Sequence, residues 1–407
     1  MGLPLAARLD TPVARTSHYY FVLLTTMALA NPFLAIWLTS KGLSPEQIGI
    51  VNAMPFLVVT IFNQFVGRVA DKAADWRTTI VVGSVVAAIG PFALFFVNDF
   101  VGILAVWTLI IVPFLAIGPV VDAASIRMAR RVGADFAIIR LWGSIGFVVT
   151  TVTAGLVVEQ YGLAMFLPML AAVGVIRAIV ALRLPLFRAP APEAAAAAVK
   201  LRRRRSPLIA TRAKEIWRPW FVLPLAGVAL VHGSHMMQMA FGALIWQQAG
   251  VPAWVIGPLW AVGPAGEVFV MLAFARLAKR FSARHLILFA SIITVIRWIG
   301  FSMNPPVWGL FVLQAMNMAS FGLSYLGIVN FIANWTSEGI AAEAQSTFQA
   351  MRQAVQVTAL TGFGFLMAHF GTGAFYGAAV MGLAGAGLTV VSLFMMPVRH
   401  EQRQRSV

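Results

Sequence analysis

Cysteine is absent from all 407 residues, which excludes disulfides, thiol nucleophiles and cysteine-based metal sites. Charge is scarce as well: Asp, Glu, Lys and Arg make up 11% of the chain, against 60% hydrophobic residues. A soluble chain of this length would form two or three domains, but it could not hide so much apolar surface from water. Acidic groups are the scarcest charges, 14 against 30 Lys and Arg, leaving a formal net charge of +16. That excess does not read as a nucleic-acid footprint, because the basic residues sit in short segments between apolar runs, where they report topology. Met1 to Ser17 carries Arg8 and Arg15 but no apolar core, so no cleavable signal peptide is expected there.

What fills the chain is a series of apolar stretches of about 20 residues, the length a bilayer core demands of a helix. They fall at 18–39, 46–66, 78–97, 100–126, 137–158, 162–184, 220–245, 253–275, 285–303, 306–332, 344–368 and 373–396. Lipid cannot satisfy an open backbone, so each is expected as a helix. The fold class is therefore an all-α polytopic membrane protein with twelve transmembrane helices. Basic residues gather in alternate loops: Arg68, Lys72 and Arg77; Arg127, Arg130 and Arg131; Arg276, Lys279, Arg280 and Arg284; and the tail Arg399, Arg403 and Arg405. The opposite loops hold a single Lys41. The positive-inside rule then places both termini in the cytoplasm, in a multi-pass protein of the inner membrane.

The chain repeats itself. Ile36-Trp37, Gly42, Pro45 and Ile48-Gly49 return as Ile245-Trp246, Gly250, Pro252 and Ile256-Gly257. Arg68 and Arg276 are separated by 208 residues, as are Ile48 and Ile256. A constant offset means two six-helix halves in tandem, 1–185 and 219–407, joined by a cytoplasmic linker over 186–218. The linker carries Pro190, Pro192, an alanine run, Lys200 and Arg202 to Arg205. It reads as a solvated basic segment that anionic lipid headgroups would attract; with no aromatic before Trp217, it does not read as a nucleic-acid binder. Parallel halves with a midplane site between them are the logic of alternating-access transporters.

An ionisable residue inside an apolar run is costly, and by default it marks a site. Asp122, Arg140, Glu267, Arg297 and Arg352 are such residues. Asp122 and Arg140 read either as a salt bridge tying two helices or as a binding or gating pair; Trp142 follows and could stack on a ring or face lipid. Glu267, Arg297 and Arg352 read as a structural cluster or as a proton-coupling set, since an approaching arginine changes a carboxylate's affinity for its proton. His232 and His235 share a helix face. Without a third ligand they are expected to line the cavity as hydrogen-bonding groups, with proton relay an alternative, and not to bind a metal. Asn317, Gln314 and Tyr325 line the same cavity if their face turns inward. Arg177 is expected to snorkel to the nearby interface, and Pro113, Gly118 and Pro119 to bend their helix. Three cations against two anions in this set favour an anionic solute over a neutral one.

Six plus six helices around a basic central loop resemble the major facilitator superfamily. The stretch Gly67 to Arg77 looks like its signature loop, with Gly67, Asp71, Lys72 and Arg77 at the matching places, which implies a cytoplasmic latch. The runs Tyr19-Tyr20-Phe21, Asn31-Pro32-Phe33 and Ile36-Trp37-Leu38, and the segment Arg140 to Phe147, resemble the branch of the lactose and phenylpropionate permeases. That likeness implies a monomeric, non-enzymatic, proton-coupled transporter with no organic cofactor. Its implied solute is a small aromatic or organic acid, with a sugar or nucleoside, or an uncoupled facilitator or exporter, as alternatives. Asp122, Arg140, Trp142, His232, His235 and Asn317 would touch the solute, and Glu267, Arg297 and Arg352 would couple the proton. One departure stands out: where the branch keeps a histidine and a carboxylate, this chain has Asn317 and Ser320, which do not titrate.

Overall fold

The computed structural model describes residues 10–188, 216–336 and 340–396, without the side chains of 63–68, 71, 268, 271, 272, 275, 341 and 342. Most of the basic linker, the tail arginines Arg399, Arg403 and Arg405, and the latch positions Gly67 and Asp71 beyond their backbone thus lie outside the described residues. Among the described residues the chain is helical, without strands. The first half contains α1 (Pro12–Leu23), α2 (Thr25–Ser40), α3 (Pro45–Lys72), α4 (Trp76–Ala93), α5 (Phe100–Val132), α6 (Phe136–Tyr161) and α7 (Phe166–Leu182). The second contains α8 (Pro219–Met237), α9 (Ala243–Gln248), α10 (Ala253–Arg280), α11 (Ala283–Ser302), α12 (Val307–Ala315), α13 (Leu323–Trp335), α14 (Ala341–Phe370) and α15 (Ala374–Met395). Ten segments among the described residues are long and apolar enough to cross a membrane; the longest, Glu343–Met395, spans parts of both α14 and α15.

Local chemistry sets the helix starts. Thr11, Asp75, Asp99, Asp135 and Ser282 each accept a backbone N–H of the first turn that follows, at α1, α4, α5, α6 and α11. Gly133, at φ 69°, closes α5 in the left-handed conformation that an L side chain resists. Pro113 and Pro119 lie inside that continuous 33-residue helix. At 1.5 Å per residue it spans about 50 Å, longer than a bilayer core of roughly 30 Å, so its last turns with Arg127, Arg130 and Arg131 can project beyond the lipid.

The chain folds into two compact units that differ from the two sequence halves in one respect. Ser44–Ala53, the start of α3, belongs with the second unit, and Pro252–Ala261, the start of α10, belongs with the first. The two exchanged segments lie 208 residues apart, so the sequence repeat is also a repeat of structure. The expected partition at 186–218 misses this exchange because glycine lets backbones touch. A Cβ on Gly49 would lie 2.7 Å from the Leu360 carbonyl oxygen of α14, and one on Gly257 would lie 2.4 Å from the Thr151 carbonyl oxygen of α6. Glu159 at the end of α6 also accepts the Ala253 N–H at 2.8 Å, capping α10.

Within the first unit α4 packs on α5 and α7, and α1 on α6 and α7. Its core gathers Tyr19, Tyr20, Ile80, Phe114, Val121, Met128 and Ile139. Within the second, α8 packs on α14 and α15, and α11 on α15, around Phe221, Ile287, Ile328, Phe331 and Phe348. Gly257→Ala would force the Thr151 backbone aside and is expected to cost about 1–3 kcal/mol. Gly118→Ala, which meets nothing within 4 Å, is expected to leave stability unchanged. Thermal unfolding of the two detergent-purified variants, side by side, checks the pair.

Candidate functional site

Two helices of the second unit are interrupted in the same way. After α8 the chain makes a π turn over Gln238–Gly242, and between α12 and α13 it makes another over Met318–Gly322. A π turn widens the helix by one residue, re-aims the side chains beside it and recurs at functional positions. Here the first carries Gln238 and the second carries Ser320 and Phe321.

These side chains meet a buried cation. Arg297 of α11 is fully buried. Its Nε donates to the Leu313 carbonyl at 2.8 Å, and its Nη2 donates to Gln314 Oε1 at 2.7 Å and to Gln238 Oε1. Gln238 Nε2 in turn donates to Gln314 Oε1 at 2.7 Å, joining the three side chains. The guanidinium also lies 4.4 Å from the Trp298 ring centroid and 5.4 Å from that of Phe301, a geometry that stabilises a cation when water is excluded. Among the described residues no carboxylate comes within 4.0 Å of Arg297. The charge is solvated by neutral amides and ring faces, so it is not cancelled.

His235 and His232 extend this polar layer along α8. His235 Nδ1 is 2.8 Å from the Val231 carbonyl, which can only accept, so that nitrogen carries the hydrogen. Its Nε2 lies 3.2 Å from Ser320 Oγ, and its ring meets Trp298 edge-on at 5.0 Å. Trp298 Nε1 donates to Ser234 Oγ at 2.8 Å. His232 Nε2 lies 3.1 Å from Ser324 Oγ, its ring stacks on Phe321 at 4.5 Å, and its Nδ1 is buried without a partner. Asn317 Nδ2 donates to Glu267 Oε1 at 3.3 Å.

Of the residues expected from the sequence, His232, His235 and Arg297 belong to one continuous buried layer, and Glu267 joins Asn317 at its border. The expected mutual cluster of Glu267, Arg297 and Arg352 is not formed: neither arginine has an ion pair among the described residues, because the two glutamines take the place of a carboxylate around Arg297. Arg352 is half-buried with its Nε unpartnered. In the first unit Asp122 accepts from the Tyr20 hydroxyl at 2.6 Å, and no salt bridge joins it to Arg140. Arg140 is exposed, as is Trp142, whose ring lies 6.5 Å from Phe21. Among the described residues no group of three or more His, Asp or Glu side chains is gathered that could hold a metal.

The loop residues do local work. Lys72 is exposed at the end of α3. Arg77 Nη2 donates to the Leu182 carbonyl at 2.6 Å, using the last turn of α7, where carbonyls lack helical partners. Arg284, fully buried and 207 residues later, donates from Nη1 to the Ser392 carbonyl of α15 at 2.8 Å, an oxygen that also accepts the Met396 N–H. Asp75, which caps α4, also accepts the backbone N–H groups of Phe187 and Arg188, so it anchors the start of the linker. Trp76 beside it is covered by Arg127 at 4.6 Å and Arg188 at 5.6 Å.

Arg177 overturns its expectation. It does not snorkel: it is fully buried in α7, donates from Nη1 to Thr26 Oγ1 at 3.0 Å and sits 5.2 Å from the Phe114 ring. Gln238 and Tyr20 are site residues that the sequence does not signal, since a lone glutamine or tyrosine in an apolar run carries no charge. A π turn leaves no sequence mark that would point to them.

Long apolar helices in two repeated units, with polar layers buried inside, define an integral membrane protein built to handle a solute. The chain belongs to the MFS_1 like family, whose model matches residues 13–395, and so to the major facilitator transporters, not to an enzyme family. It is 26% identical over 380 residues to the probable 3-phenylpropionic acid transporter of Escherichia coli (strain K12), covering 89% of this chain and 93% of that protein. It is 25% identical over 361 residues to the maltose permease of Geobacillus stearothermophilus, covering 88% of each. The crystal structure of the nucleoside transporter NupG shares the fold, with a TM-score of 0.76 at 16% identity over 98% of this chain and 100% of that one.

Gln314→Leu removes the acceptor that Arg297 and Gln238 share. Leaving buried donors without their acceptor costs about 1–3 kcal/mol, and more where the donor is charged. The purified variant is expected to lose at least that much stability, read as a fall in its thermal midpoint. Asn334→Leu, at an exposed position of α13, should change little.

Proposed function

We propose that this chain is a proton-coupled symporter that carries a small organic acid with an aromatic or apolar body, of the phenylpropionate kind, across the inner membrane. On this reading twelve helices span the bilayer with both termini in the cytoplasm, and a single chain works by alternating access. One observation carries the choice of an acid: the guanidinium groups of Arg297 and Arg177 are fully buried, and among the described residues neither has a carboxylate within 4.0 Å. Buried positive charge without a counter-ion is unfavourable, and an anionic solute offsets it on binding. The ring faces of Trp298, Phe301 and Phe321 around the polar layer suit an aromatic body.

In this scheme Asp122, Arg140, Trp142, His232, His235 and Asn317 touch the solute. Glu267 takes the coupling proton, with Arg297 and Arg352 setting its affinity through charge. Gly67, Asp71, Lys72 and Arg77 serve the cytoplasmic latch. The solute named for the Escherichia coli relative supports the acid reading. A neutral sugar or nucleoside is the second reading. The three amides Gln238, Gln314 and Asn317 favour it, because amides pair well with hydroxyls, and the sugar named for the Geobacillus stearothermophilus relative points the same way.

Uptake into proteoliposomes decides between them. With an inward-acid gradient the wild type is expected to accumulate labelled 3-phenylpropionate, and Glu267→Gln to reach only passive equilibrium. Gln314→Glu sets a carboxylate beside Arg297 and should cut acid uptake at least about tenfold. Accumulation of maltose or a nucleoside, with no uptake of the acid, would establish the second reading.

A further inference from the structure

Three arginines are fully buried; Arg284 is held at the end of α15, and Arg177 and Arg297 differ in which edge of the guanidinium is in use. Nε and Nη2 present two parallel N–H groups along one edge, the fork that matches the two oxygens of a carboxylate. In Arg297 that edge is filled: Nε is on the Leu313 carbonyl and Nη2 on the two glutamines, leaving only Nη1 unpartnered. In Arg177 the pattern is reversed. Nη1 is held by Thr26 Oγ1, and both Nε and Nη2 are buried without a hydrogen-bond partner.

A fully buried guanidinium with its fork vacant is hard to explain as scaffolding. Packing alone would be served by an apolar residue at less desolvation cost, and the group has a positioned back and side. The Phe114 face lies 5.2 Å from the guanidinium carbon, and Tyr19, whose hydroxyl lies 2.8 Å from Ser84 Oγ, is buried in the same core. Thr26 stands two residues beyond Leu24, where α1 ends and α2 begins.

We propose that Arg177 is the carboxylate receptor of the transporter: its free Nε–Nη2 edge takes both oxygens of the solute's carboxylate, with Thr26 fixing the plane of the fork. This rests on the organic-acid reading above and assigns the group that contacts the acid.

The test is ligand binding by the purified full-length protein, using 3-phenylpropionate and its neutral amide, with affinity and thermal shift as readouts. Wild type should bind the acid and not the amide. Arg177→Lys keeps the charge but has no fork, and acid affinity is expected to fall about tenfold or more. Thr26→Val keeps the guanidinium but removes the acceptor on its Nη1, so the ligand-free thermal midpoint is expected to fall by a few degrees, and acid binding should weaken about threefold. Should Arg177→Lys fail to fold, Thr26→Val becomes the deciding variant. Wild-type acid affinity in a folded Arg177→Lys, or in Thr26→Val where that variant decides, overturns the assignment and leaves the organic-acid reading standing. A wild type that binds neither compound, or both alike, overturns the two together.

Discussion

A polar group buried among apolar helices must find its hydrogen bonds there, because no water competes to supply them. Most of this protein's interior geometry follows from that constraint. Arg297 reaches one backbone carbonyl and two glutamines drawn from other helical segments, so α11, the π turn after α8 and the end of α12 are held in register by one side chain. The serines play the same part at smaller scale. Ser234, Ser320 and Ser324 each meet a ring nitrogen of Trp298, His235 or His232. Replacing any of these groups with an apolar residue strands its partner, a cost larger than the modest net gain of forming the bond.

The repeat adds a second constraint, on where helices can approach. Gly49 and Gly257, 208 residues apart, each bring a helix start against another helix's carbonyl. The start of α3 thereby joins the second unit and the start of α10 the first. At the basic ends a different device repeats, Arg77 on the last carbonyl of α7 and Arg284 on a last-turn carbonyl of α15. Charge there serves helix termini, whose carbonyls attract cations, while Arg297 relies on amides and rings. A buried layer of that kind keeps its net charge.

Much of this is legible in the residues. Hydropathy demands helices, the 208-residue offset demands two related halves, and the residues around Gly67 and Arg140 point to the family that the match over 13–395 shows. Arg297 and Glu267 stand out as charges in apolar runs, and both lie at the polar layer or its border. Arg177 is not legible in this way, because distance from a run's end along the chain does not say which way a side chain leaves the helix. Asp122 and Arg140 suggest a pair, but Tyr20 takes the carboxylate and Arg140 is exposed.

Hydrophobic length, repeat offset and the presence of a charge in an apolar run are properties of a segment by itself, so the sequence determined the helical class, the 208-residue repeat and the positions of those charges. Which partner meets a charge depends on helix rotation, on the two π turns that re-aim Gln238 and Ser320, and on glycine contacts between segments far apart in the chain. Those belong to packing. Only the tertiary structure could decide that Arg297 is caged by amides while Arg177 keeps its fork open.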